Sequence, residues 1–150
     1  MKIIDILESI KFLIKYGNKF DKYQIIEIKK GLEKGLNVSL YAKSEYKVEQ
    51  MEEIRKGLEK GLDVSYYSNP IFDHFQMTEI RIGLEKNLDV KIYATPKFEW
   101  CQMTEIRMGL EDNVDVCTYA DPKYSWAEMH NMRHILKNKG SNKNAFYTKI

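Results

Sequence analysis

A chain of 150 residues, 43% hydrophobic and 31% charged, has ordinary soluble composition and enough apolar side chains for one domain core. Its 24 basic side chains nearly balance 22 acidic ones, and a net charge of +2 supplies no global field for nucleic acid or an anionic membrane. Cys101 and Cys117 stand at non-equivalent positions without CxxC spacing, so they read as reduced, unpaired thiols rather than a disulfide or a metal site.

Residues 1–19 place Ile3, Ile6, Leu7, Ile10, Leu13 and Ile14 at helical spacing, with Asp5, Glu8, Lys11 and Lys15 between them. Those charges exclude a signal-peptide core or a membrane span, and a cytoplasmic location is expected. The segment predicts an N-terminal capping helix, ended by Gly17 and Asn18.

From Phe20 onward an aromatic recurs every 26 residues, at Tyr46, Phe72, Phe98 and Tyr124. The chain therefore divides into repeats over 20–45, 46–71, 72–97 and 98–123, a degenerate capping repeat over 124–137 and a basic tail over 138–150. In the third repeat Met77, Ile80 and Leu84 form one apolar stripe, which predicts a helix of about four turns. Gly35, Gly61, Asn87 and Asn113 are equivalent, and the two residue types share tolerance of the left-handed conformation. That position is the helix stop. Asn37, Asp63, Asp89 and Asp115 then sit as N-caps of a second helix of one or two turns, and Pro70, Pro96 and Pro122 close their units.

Two helices in such a unit cannot bury their apolar faces alone, and stacked neighbours can. The expected fold is all-α, a short α-solenoid of helix-turn-short-helix repeats with an N-terminal capping helix. A compact bundle is the runner-up and needs longer connections.

A residue present in every unit is explained by what every unit must do. Gln24, Gln50, Gln76 and Gln102 recur, as do Glu27, Glu53, Glu79 and Glu105, and then Glu33, Glu59, Glu85 and Glu111. Lys29, Arg55, Arg81, Arg107 and Arg133 fall where i, i+4 pairs with the second glutamate series form. The series read as a polar ladder between helices, with Gln76 and its equivalents bridging to a neighbour, rather than as catalytic carboxylates. Gly31, Gly57, Gly83 and Gly109 lie inside the long helix at a cost of about 1 kcal/mol each, which predicts close approach of the short helix or the next unit. They fit no phosphate-binding loop. No catalytic residue, cofactor or metal is expected.

Specificity is expected where the units differ. One variable stripe runs from Lys22, Ile26 and Lys30 through Val48, Glu52 and Lys56 to the C-terminal units. There it holds His74, Thr78, Ile82, Trp100, Thr104, Met108, Trp126, His130 and His134, a candidate partner-binding surface. Trp100 and Trp126 serve either as interface anchors or as seals of the terminal repeat. His130 and His134, one turn apart, lack a third metal ligand at recognisable spacing. The tail is either disordered or docked through Phe146 and Tyr147.

The units resemble a tandem repeat of the form QMxEIRxGLExGLDVxxYAxPxF, found in uncharacterised proteins of Firmicutes and of their phages and mobile elements. The resemblance covers Phe20 to about Leu136. It implies the repeat architecture and a bacterial or phage origin, and with that origin an inhibitor that binds a host defence protein. The expected function is a non-enzymatic protein-protein interaction module. Self-association through the same surface is compatible with these residues. The alternative is nucleic-acid binding by helix-turn-helix-like units and the basic tail, although the second helix is short and carries few basic residues.

Overall fold

The computed structural model describes residues 17–147 with Lys11, Ile14 and Lys15, and their side chains as far as Lys139. Every element described is helical. Five α-helices, α1 (Lys22–Glu33), α2 (Val48–Glu59), α3 (His74–Glu85), α4 (Trp100–Glu111) and α5 (Trp126–Tyr147), follow one another, each packed on the next. The expected capping helix over 1–19 lies mostly outside the described residues. Of it, Lys11, Ile14 and Lys15 are helical and Gly17–Lys19 form a 3-10 turn.

Local chemistry fixes both ends of α1 to α4. The N3 glutamine turns its Oε1 back to the backbone N–H of the N-cap residue, from Asp21 to Gln24 at 3.0 Å and from Asp73 to Gln76 at 2.9 Å. At the other end Gly35 and Gly61 adopt φ of 67°, and Asn87 and Asn113 adopt 56° and 55°, as the alternation of the two residue types requires. The N–H of Leu36 then reaches the Gly31 carbonyl at 2.9 Å and that of Gly35 reaches Leu32 at 3.0 Å, the paired bonds of a Schellman stop.

The helices α1 to α4 have 12 residues each, somewhat over three turns rather than four. The second helix of each unit contracts to one 3-10 turn of three residues, Val38–Leu40, Val64–Tyr66, Val90–Ile92 and Val116–Thr118. Asp63, Asp89 and Asp115 cap these turns through their side chains, whereas Asn37 does not. Proline does not set the length, since the first unit has Ser44 at that place and ends at Leu40 all the same. The tyrosine that follows does so, by leaving helical geometry to turn inward.

Tyr41, Tyr67, Tyr93 and Tyr119 are, with Tyr46, the largest fully buried side chains of the core. Each of the four that follow a short turn lays its phenol over the mid-helix glycine and donates to a helix carbonyl, Tyr93 to Glu79 at 3.2 Å. A Cβ on Gly83 would lie 1.9 Å from the Tyr93 oxygen and 2.8 Å from Val90 Cγ1. The expected close approach is therefore of the short element, and glycine is the residue that leaves room for it. Ile54, Met77, Ile80, Met103 and Ile106 complete the core between the helix layer and the turn layer, each burial stabilising by roughly 1.5–3 kcal/mol.

The C-terminal unit departs from the pattern. Lys139 stands where Gly35 and Asn87 stop their helices, a residue that does not favour positive φ, and α5 runs on to Tyr147. The segment expected as a basic tail over 138–150 is thus helical as far as that residue. The side chains of Phe146 and Tyr147 are outside the description.

Candidate functional site

The recurring polar residues join the units. Gln24 donates from Nε2 to the Tyr46 carbonyl at 2.7 Å, and Gln50, Gln76 and Gln102 donate to Phe72, Phe98 and Tyr124, each at 2.6 Å. One amide side chain thus closes its own helix start and grips the backbone just ahead of the next helix. Because helix starts meet helix starts in this way, successive helices run in the same direction.

A second ladder crosses the middle of the stack. Arg55 Nε donates to Glu27 at 2.7 Å, Arg81 to Glu53 at 2.8 Å, Arg107 to Glu79 at 2.7 Å and Arg133 to Glu105 at 2.9 Å. The expected i, i+4 pairs Arg55–Glu59, Arg81–Glu85 and Arg107–Glu111 are also present. They are only half of the arginine's role, since each guanidinium bridges two repeats and is largely buried. Lys34, Lys60 and Lys86 add outer bridges to Glu59, Glu85 and Glu111 at 2.6–2.8 Å. Burial alone would push the Glu53 carboxyl up, but hydrogen bonds from Lys56 and Arg81 and their charges hold it below its ordinary value. Burial pushes the Tyr119 phenol up to about 12, so it remains a donor. This chemistry orders the stack, and each of these groups is occupied by a neighbour within the chain.

The variable stripe lies on the other side of the helix layer. With about 100° between successive residues, His74 and Thr78 fall opposite Gly83, whose face carries the turn layer, and Ile82 falls on the flank. Stripe residues of α3 and α4 are exposed or half-buried, with Trp100 at 47% and Trp126, at the start of α5, at 52%. Neither tryptophan is buried as a seal of the terminal unit would be. The structure adds Phe75, 51% exposed, whose ring centroid lies 5.6 Å from that of Trp100 and 3.9 Å from that of His74. Phe75 escapes a stripe drawn at i, i+4, i+8 from His74. Its own series, Tyr23, Glu49, Phe75, Cys101 and Ala127, is as variable as the stripe and was the signal available.

The His130 and His134 rings lie tilted at 55° to each other with centroids 4.4 Å apart, and His130 Nδ1 lies 3.1 Å from Glu105 Oε1, so His130 continues the glutamate ladder. Among the described residues no three or more His, Cys, Asp and Glu are placed to hold a metal ion, and no helix is long and apolar enough to cross a membrane. Cys101 and Cys117 are free thiols. No protein-family model, curated protein or solved structure matches this chain.

Proposed function

We propose that this chain is a non-enzymatic protein-binding module that takes its partner on the solvent face of α3, α4 and α5. The observation that carries the reading is the cluster of Phe75 and Trp100, with Trp126 beyond it, large apolar side chains outside the repeat consensus and about half exposed. Large aromatics on such a face are what interface centres are made of. The repeated carboxylates, by contrast, are occupied in joining one unit to the next. A three-residue 3-10 turn is too short to lie in a DNA groove as a recognition helix, which weighs against the helix-turn-helix alternative. The cytoplasm, where Cys101 and Cys117 stay reduced, is the compartment that fits, and a bacterial defence protein is the partner that the repeat resemblance suggests.

Affinity capture from bacterial lysate tests this, with the wild type beside a Trp100→Ala, Met108→Ala, Trp126→Ala variant whose helicity is checked by circular dichroism. One protein retained by the wild type and lost by a folded variant is the expected result. Retention of nuclease-sensitive nucleic acid by both, or equal capture by both, would overturn it.

A further inference from the structure

The four ladder glutamates are not equally neutralised. Each takes one guanidinium on Oε2 from the following repeat. On Oε1 they differ. Lys30 donates to Glu27 at 2.6 Å and Lys56 to Glu53 at 2.8 Å, and His130 lies 3.1 Å from that oxygen of Glu105. Glu79 has no second partner among the described residues. Ile82 holds the lysine's place on its own helix, Thr104 holds the histidine's place on the next, and the Thr104 hydroxyl is given to the Trp100 carbonyl at 3.0 Å.

Glu79 is 9% exposed, so its uncovered oxygen opens on the stripe face from a largely buried carboxylate. Water serves that oxygen while the face is open. A partner that covers the face expels the water and must supply a donor in its place, or leave a buried charge short of one. An apolar partner is penalised on those terms, and a cationic one gains a charge-assisted hydrogen bond. The surroundings suit a cation on an aliphatic stem. Phe75 precedes Glu79 by one helical turn and touches Trp100, offering ring faces, while Ile82 and Met108 are half-buried.

We propose that Glu79 is the specificity point of this face and receives a lysine or arginine side chain from an apolar segment of a protein partner. The incoming cation supplies in the third repeat what Lys30 and Lys56 supply from within the chain in the first two. The proposal rests on the protein-binding reading and names the chemistry that reading leaves open.

The test begins with peptides selected from a random displayed library on the full chain. Enriched peptides are then synthesised, and their affinities measured for the wild type, Ile82→Lys, Ile82→Met, Glu79→Gln and Trp100→Ala. Ile82→Lys restores the second repeat's arrangement and fills the oxygen from within, so the ladder stays intact and the variant melts no lower than the wild type. The expected peptides carry lysine or arginine beside apolar residues. They bind the wild type and Ile82→Met within about twofold of each other, and Ile82→Lys and Glu79→Gln at least about tenfold more weakly. Peptides that need Trp100 but lack a basic residue, or that bind Ile82→Lys at wild-type strength, would remove the cation and leave the docking face. A library that enriches nothing dependent on Trp100 would overturn both.

Discussion

The repeats use glycine in two ways, and the two answer to different physics. Gly61 holds φ of 67° in open space, so a side chain there meets only the cost of the left-handed conformation. Gly83 has Tyr93 above it, and any Cβ displaces the phenol from the Glu79 carbonyl. Urea unfolding should therefore give about 1 kcal/mol lost for Gly61→Ala and nearly none for Gly61→Asn, the residue type found at 87 and 113. Gly83→Ala should lose about 3 kcal/mol, from overpacking and a broken buried hydrogen bond together. Equal losses at the two sites would contradict this division. Recurrence within the chain makes the glycine's constraint readable from sequence, because a costly residue kept in every unit needs a shared reason. The group pressing on it is not readable, since Tyr93 looks like one more apolar residue of a short helix. Arg81 is hidden for a related reason: the acid one turn further along its own helix is Glu85, and its second partner, Glu53, lies one repeat back.

At the scale of the helices, the glutamate–arginine ladder makes stability depend on pH in a stated direction. The Glu27 carboxyl would be raised by burial, yet Lys30 and Arg55 hold it low, and Glu53 behaves alike with Lys56 and Arg81. The unfolded chain then binds these protons more readily than the folded one. The stabilisation is complete above the unfolded value and disappears as pH falls through the lower folded values. The urea midpoint should hold from neutrality to about pH 5 and fall below that, with a shallower acid limb in Glu53→Gln. A midpoint that stays level down to about pH 3 would show the ladder to be energetically idle. Helix existence, helix stops and the glutamine bridge were legible because they repeat. The length of the second helix was not, because its pattern of Val64 and Tyr67 is the same for a helix and for a single turn from which the tyrosine swings inward.

At the scale of the whole molecule, neighbouring units supply one another's partners, as in other linear arrays. Deleting residues 46–71 would bring Gln24 against the Phe72 carbonyl and Arg81 against Glu27, recreating both ladders at the new junction. The shortened chain should fold cooperatively with a lower urea midpoint and a denaturant slope reduced by about one fifth, as circular dichroism would record. Loss of folding would mean that the stack depends on contacts beyond adjacent units. The candidate partner face was partly legible at this scale. Trp100 and Trp126 stood out against the consensus, whereas Phe75 needed the curvature of the helix to bring its ring to Trp100.

The glutamine bridge has a genetic consequence. Gln24, Gln50, Gln76 and Gln102 each read a main-chain carbonyl, which every amino acid carries, so the junction is indifferent to whether Tyr46, Phe72, Phe98 or Tyr124 stands there. Unequal crossing-over between units therefore leaves a working seam wherever it stays in register, and the gene can lengthen or shorten its product without a compensating change elsewhere. The solvent-facing stripe is free to diverge while that happens, so new surfaces arise on a frame that never has to be invented again.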